Sequence, residues 1–432
     1  MKNFIKTSIN QIFSNISIPY IYLYLYTLSF INFVKSLFKR DVIYENKIYK
    51  GQSVLLLALF EKGVLRNDIK RLLQIAKDKG LYVVAVNTKK LQKDELTIVV
   101  DLIDVYIEQF NYGRDFGSYK KGFNYLYRSD VAKGSPKVLM LNDSVYYDSD
   151  RLGLFIDEML DERFEVRGAT ENFEINYHLG SFAICFDNKI VNDKRFKKYW
   201  SGYALTDVRP AVIERGEMGL SKVLNSIVSN ELKIGACYNA KRVRSFLRQR
   251  ENLLLYIMFL RKSDLVDWRT RSPVDLIDSF LDLTHLSKLK KSDRVDGKNN
   301  IPTIHLQRDA RDKLSIFVTE LEDIHLVFNQ FSNLNQNIDS YFYDFVRNEL
   351  VENSRSGSQI HQNNACFLLM GMPIIKLDGI YRGMFSEQDV FAFEKILSER
   401  NFNELIDLLY SKPYGGNTLK GLKNAAFKRG LI

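Results

Sequence analysis

The stretch SVLLLALFEKGVLRNDIKRLLQIAKDKGLYVVAVN, residues 53–87, decides the fold class. Ser53 to Phe60 is a short apolar run bounded by turn residues, the pattern of a strand buried on both faces. Behind Asn67, a residue type that caps helices, Ile69, Leu72, Leu73 and either Ile75 or Ala76 recur at helical spacing until Gly80 ends the pattern. Leu81 to Asn87 then reads as a second buried strand.

The alternation continues with a short strand near Val105 to Gln109, a loop at Asn111 to Asp115, a helix to about Arg128, and the apolar strand KVLMLND ending at Asp143. A βαβα series predicts an α/β protein with a mainly parallel, Rossmann-type sheet flanked by helices and with ligands at the carboxyl ends of its strands. The loops after Phe60, Asn87, Gln109 and Leu141 therefore line the expected cleft. Beyond about Lys241 helix signals dominate, including a long stripe from Leu314 through Phe328 and Ile338 to Phe345 at steps of three and four. The expected division is an N-terminal membrane-associating segment at 1–48, an α/β domain carrying the cleft at 49–240 and a mainly helical region at 241–432, its long helix about 308–350. That stripe suits packing on the catalytic domain or, alternatively, a homodimer. The polar stretch Lys288 to Asn300 reads as a loop.

The chain has 432 residues, 46% apolar, and 62 basic against 52 acidic residues, a formal charge of +10. This composition excludes a disordered chain. The basic excess gathers around Lys35, Lys39 and Arg40, in KRVRSFLRQR at 241–250, and in the acid-free tail from Ser411. Such runs suit phosphates, whether of anionic lipids, nucleotides or nucleic acid, or are simply solvated faces. No charged residue falls between Thr7 and Val34, a span interrupted by Pro19 and carrying Tyr20, Tyr22, Tyr24 and Tyr26. The tyrosines and the cationic end favour an in-plane anchor on an anionic membrane surface over a true span, with a buried or partner-docking helix as the alternative. No small-residue cleavage site follows, so a cleaved signal is not expected.

Cys185, Cys237 and Cys366 are too few and too scattered for a disulfide framework or a zinc motif, which fits a reducing compartment. The five histidines are dispersed, and there is no GxxxxGK, GxGxxG, GxSxG or HExxH motif. Four polar clusters remain. In NYGRDFGSYKKG, 111–122, the glycines permit a tight turn, Arg114, Lys120 and Lys121 can meet diphosphate oxygens, and Asp115 either accepts from a sugar hydroxyl or caps the following helix. In LNDSV, 141–145, Asn142 and Asp143 offer hard oxygens for Mg2+ or Mn2+ or for direct bonds to a nucleotide sugar, unless they merely form a turn. In RGATENFEINYHLGSFAICF, 167–186, Thr170, Glu171, His178 and Ser181 can meet sugar hydroxyls. In ERGEMGLSKVL, Glu214 and Glu217 stand near a helix start, where either can be a general base or can favour the positive helix end.

The motifs NYGRDFGSYKKG, LNDSV, RGATE, HLGSF and EMGLS, in this order over about residues 50–240, resemble the rhamnan synthesis protein F family of glycosyltransferases; MGMPIIKLDGIYR, 370–382, is similar to its late G-x-P-x-x-K segment. The resemblance implies a GT-A-like fold and inverting transfer of rhamnose or a related deoxysugar from a dTDP-linked donor, dTDP-rhamnose above all, to a lipid-linked surface polysaccharide. Inversion needs one base, for which Glu217 is the choice. Asn111, Arg114, Asp115 and Lys120 carry over to the donor site, and Asn142 and Asp143 to the diphosphate or metal site. LNDS holds one carboxylate where metal-dependent GT-A enzymes show two. Glu61 stands near the place of an expected nucleoside-binding aspartate, with Asn87 at the end of the neighbouring strand. The implied location is the cytoplasmic face of the inner membrane. A non-catalytic assembly subunit of a polysaccharide-synthesis complex is the alternative; no nucleic-acid partner is expected, because no aromatic RNA-binding pattern or basic recognition helix accompanies the charge.

Overall fold

The computed structural model describes residues 2–173, 175–260, 338–355 and 357–432. Contacts divide the chain into two compact units: one of Met1–Tyr238, Gly371–Phe385 and Leu397–Ile432, the other of Asn239–Met370 and Ser386–Ile396. Two C-terminal stretches return to the first unit, a long-range event that local sequence pattern does not carry.

The strands of the first unit are β1 (Val42–Glu45), β2 (Val54–Leu59), β3 (Tyr82–Asn87), β4 (Val105–Glu108), β5 (Lys137–Asn142), β6 (Val145–Tyr147), β7 (Val166–Asn172), β8 (His178–Leu179), β9 (Ala183–Asp187), β10 (Ile234–Tyr238) and β11 (Ile374–Lys376). Among the described residues the main sheet runs β1-β4-β3-β2-β5-β9-β7-β10, with β8 paired to β7. It is mostly parallel: β2 pairs in parallel with both β3 and β5, β3 with β4, and β7 with β10, while β1 and β9 run against their neighbours. Helices flank it, so the protein is α/β. Every residue of β2, β3 and β5 is buried, which is why their sequences read as unbroken apolar runs.

The chain lays β3 and β4 on one side of β2 and then returns to place β5 on the other, so the connections diverge at β2. Such a switch point opens a crevice at the carboxyl ends of the diverging strands. Here it lies beside Phe60 and Asp143, next to the paired residues Ala58 and Asn142. The antiparallel β9 starts at the same edge, just after Ser181.

One face of the sheet is covered by the Arg114–Arg128 and Lys194–Gly202 helices, joined by an aromatic stack in which Phe123 and Trp200 rings lie 4.7 Å apart. Phe116, Tyr119, Phe186 and Phe196 complete it, each fully buried. Burial of such a side chain stabilises by about 1.5–3 kcal/mol before entropy is counted. Gly122 lets the helix lie on β2, because a Cβ there would sit 2.2 Å from Leu56 Cδ1. β11 pairs antiparallel with β6, and the buried Asn401 side chain accepts from Tyr146 Oη at 3.2 Å and donates to Asp148, fastening the C-terminal stretch to the first unit.

The helix Lys2–Leu37 has Pro19 within it. One face docks: Ile21 and Leu25 pack with Val208, Ala211, Ala426 and Leu431, and Asn32 Nδ2 donates to Asp207 Oδ2 at 2.9 Å. The opposite face leaves Tyr20, Leu23, Phe30 and Leu37 between 63% and 66% exposed. Among the described residues no helix is long and apolar enough to cross a membrane. The Asn67–Asp78 helix begins where expected, but Arg66, extended at φ −60° and ψ 151°, occupies the capping place assigned to Asn67.

The second unit is helical in its described residues. Its Ile338–Asn353 helix accounts for the end of the expected long helix, and Arg347 Nε donates to Leu247 O at 3.1 Å. The stripe from Leu314 to Asn337, the polar stretch Lys288 to Asn300 and His285, His305 and His325 lie outside the described residues.

Gly122→Ala is expected to destabilise the protein by about 1–3 kcal/mol, since overpacking must push Leu56 or the helix aside. In a Leu56→Ala background the same change is expected to cost less, the coupling being read from a double-mutant cycle by denaturant unfolding.

Candidate functional site

β5 delivers Asn142, Asp143 and Ser144 to the switch point. The Asp143 carboxylate accepts from the Phe60 N–H at the end of β2, and its own N–H donates to Ala58 O at 3.1 Å. Arg66 reaches under the turn, donating to Asp143 O at 2.8 Å and Val145 O at 2.7 Å while pairing with Glu61 at 3.3 Å. Burial pushes the Asp143 carboxyl up to about 7, against the opposing pull of Arg66 and the Phe60 N–H. Asn87, fully buried, donates to Glu61 O at 2.8 Å and to Tyr106 Oη at 3.0 Å, and accepts from Glu61 N at 3.1 Å. It therefore sets the Glu61 peptide, and the Glu61 carboxyl, raised by burial, leans on Arg66.

Asn142 joins this group to the loop before the Arg114–Arg128 helix, donating to Asp115 Oδ2 at 3.0 Å while its oxygen accepts from Ser144 Oγ at 2.7 Å. Lys376, at the end of β11, donates to Ser144 Oγ at 3.2 Å. Burial raises Asp115, opposed first by Lys376 and then by Arg114, with Glu217 and Asp378 adding to the rise. The loop has the backbone its glycines predict. Gly113 takes φ 90° and donates its N–H to Asp207 Oδ1 at 2.8 Å, and a Cβ on Gly117 would meet Tyr112 O at 2.2 Å. Arg114 itself adopts φ 53°, an uncommon left-handed conformation for a residue with a side chain, while its Nε donates to Asp207 O at 3.0 Å. Asn111 is exposed at the loop's start, and Lys120 donates to the carbonyls of Ser201 and Tyr203 at 3.0 and 2.8 Å.

Glu217 approaches from a π-helical turn, Ile213–Met218, the kind of local widening that recurs at functional sites. Its Oε1 accepts from Ser181 Oγ at 2.7 Å and its Oε2 lies 4.0 Å from His178 Nε2. His178 Nδ1 is 2.8 Å from Asn176 O, which assigns the proton to that nitrogen and leaves Nε2 facing the glutamate. Thr170 is buried within β7, where its carbonyl accepts from Gly180 N at 3.0 Å. Glu214 is exposed, so of the two glutamates Glu217 is the one among the polar residues at this edge.

Asp115, Asn142, Asp143, His178, Ser181, Glu217 and Glu61 thus gather at one edge of the sheet. Asn87 supports Glu61 from below, and Lys120 holds the Ser201 and Tyr203 carbonyls. Arg66, Asp207, Arg209, Asp378 and Arg382 were not candidates in the sequence; they reach the site through the fold, and only Lys376, Asp378 and Arg382 carried a signal, inside the MGMPIIKLDGIYR segment. The donor set does not fit the divalent ion expected on Asp143. Among the described residues no group of three or more His, Cys, Asp or Glu can hold a metal ion. The Asp143 carboxylate accepts from the Phe60 N–H and feels the charge of Arg66, which itself bonds the Asp143 carbonyl, and the Asp115 carboxylate accepts from Asn142 beside Lys376 and Arg114.

No family model matches the chain. It is 32% identical over 149 residues to the uncharacterized protein y4gN of Sinorhizobium fredii, covering 33% of this chain and 38% of that one. It is 28% identical over 161 residues to the virulence protein VirA of Vibrio anguillarum, covering 36% and 50%. The chain therefore aligns with half or less of the length of these relatives.

Asp143 makes a pH prediction. With its folded pKa raised to about 7, the native state keeps a proton between about pH 4 and 7 that the unfolded chain has released, so this group's stabilisation is present at low pH and lost as pH rises through 7. Asp143→Asn does not titrate. The stability of the variant minus that of wild type is expected to increase by on the order of 2–3 kcal/mol from pH 5 to pH 8, read by denaturant unfolding at each pH.

Proposed function

We propose that the protein is an inverting glycosyltransferase that moves rhamnose or a related deoxysugar from a dTDP-linked donor to a lipid-linked cell-surface polysaccharide at the cytoplasmic face of the inner membrane. The observation that carries this reading is a single carboxylate, Glu217, held by the Ser181 hydroxyl beside Asp115 and Lys376 at the carboxyl edge of a mainly parallel sheet with a switch point. Glu217 as one base suits direct displacement. A GT-A-like arrangement of the sheet belongs to the same proposal, and the sugar rests on the motif resemblance alone.

In the proposed reaction an acceptor hydroxyl gives its proton to Glu217 as its oxygen attacks the anomeric carbon. The bond from that carbon to the donor's terminal phosphate oxygen breaks, and the electron pair leaves with the nucleoside diphosphate. The Ser181 hydroxyl donates to Oε1, which fixes the carboxylate so that Oε2 remains for the acceptor. Asp115, oriented by Asn142, is placed to accept from a sugar or ribose hydroxyl.

Attachment to the membrane is the part of the proposal carried by the Lys2–Leu37 helix. Its outward stripe of Tyr20, Leu23, Phe30 and Leu37 ends near Lys35, Lys39 and Arg40, an apolar face with a cationic rim that suits an anionic bilayer. The docked face is continuous with the site: Asn32 holds Asp207, and Asp207 holds Gly113.

A thermal-shift series with dTDP, UDP, GDP and CDP is expected to show stabilisation by dTDP above the others. Glu217→Gln is expected to lower kcat by about 10²–10⁴-fold with dTDP binding intact. Undiminished transfer in this variant would remove Glu217 as the base, and no shift with any nucleotide would favour the assembly-subunit alternative. Leu23→Asp with Phe30→Asp is expected to abolish sedimentation with phosphatidylglycerol-containing vesicles while leaving transfer to a soluble acceptor intact; equal sedimentation with purely zwitterionic vesicles would count against the electrostatic part.

A further inference from the structure

β11 brings Lys376 opposite Val145, across from the turn that ends β5. Its ammonium donates to Ser144 Oγ and lies 5.0 Å from the Phe182 ring centre. Arg209 shares its surroundings, and Arg114 and Arg382 act in turn on Arg209. Arg114 is turned by its left-handed backbone and held through Nε by Asp207 O; Arg209 donates through Nη1 to Gly430 O at 3.1 Å; Arg382 donates through Nη1 to Ile432 O at 2.6 Å and pairs with Asp378. All four side chains are half-buried. Burial pushes Lys376 and Arg114 below their usual range and Arg209 down to about 10, with Arg382 and Arg114 adding to the fall at Arg209. Lys376, Arg114 and Arg209 lose hydration to burial while water still touches them. Arg114, Arg209 and Arg382 act on one another as like charges among the carboxylates of Asp115, Asp378 and Glu217, and that repulsion is a cost an arriving anion offsets.

We propose that Lys376, with Arg114, Arg209 and Arg382, is the seat of the donor's diphosphate, and that these side chains supply the positive charge a divalent ion would otherwise bring. The inference rests on the nucleotide-sugar reading and adds to it the cation that stabilises the leaving group. As the anomeric bond breaks, charge develops on the diphosphate oxygens, and a cation already fixed there stabilises the transition state without reorganising. Lys376 bridges the two halves of the site: it touches Ser144 of the LNDS turn and acts on both Asp115 and Glu217. The poor fit of Asp115 to a metal follows from the same arrangement, since its carboxylate faces Lys376 and Arg114.

The test is calorimetric titration of inorganic pyrophosphate, dTDP, UDP, GDP and CDP into the full chain, in EDTA and in manganese buffer. At least one diphosphate is expected to bind equally well in both. Lys376→Met is expected to weaken it about tenfold or more, the loss of a charge-assisted contact, without lowering the melting temperature of the unliganded protein. Arg209→Gln gives the same measurement if Lys376→Met fails to fold. Binding that requires manganese would overturn the inference and leave the glycosyltransferase reading standing. Metal-free binding that survives both substitutions unchanged would overturn it as well, and no binding of any diphosphate in either buffer would sink both.

Discussion

The central constraint is that β2, Val54–Leu59, has no face on which water is tolerated. A six-residue strand buried on both sides needs a parallel partner along each edge and a helical layer over each face. The chain meets the first need with β3 and β5 and the second with helices drawn from both sides of the sequence. Because β3 and β5 are reached by connections leaving in opposite senses, their carboxyl ends cannot be sealed by a single crossover. The opening at Phe60 and Asp143 is thus a by-product of burying β2, and the polar residues of the site are those the chain can afford to leave there.

Those residues were legible to different degrees. Asp115, Asn142 and Asp143 follow directly from reading apolar runs and asking what lies at their ends, because β-strand and helix periodicities are local. Ser181 and Glu217 were visible as types but not as a pair, since the 2.7 Å contact joins the start of β9 to a π-helical turn 36 residues away. Arg66 was invisible for another reason: it sits where a capping residue was expected, and its guanidinium acts through backbone carbonyls that have no sequence identity. Lys376 lies in a region that reads as helical, and its short pairing with β6 joins it to the first unit.

The electrostatics of the edge differ from those of the core. Inside, Lys77 meets the buried Asp104 at 2.7 Å. At the edge, Asp143 and Asp115 are raised by burial while Lys376 and Arg114 are lowered by it, so acids and bases are both displaced toward neutrality. Displacement of both signs in one place, with a left-handed arginine beside it, marks a surface organised around something other than its own stability.

The π-helical turn at Ile213–Met218 has one further consequence. In a regular α-helix residues three apart share a face, so Glu214 and Glu217 would point the same way. Widening the turn to i→i+5 bonding lowers the advance per residue and drives the two acids apart, one to solvent and one to Ser181. The turn is in effect a phase shifter of one residue. Removing a single residue there would rotate the Gly219–Ile227 helix by about 100° relative to the preceding turn, so the aim of the carboxylate is encoded in the length of this segment as much as in the identity of Glu217.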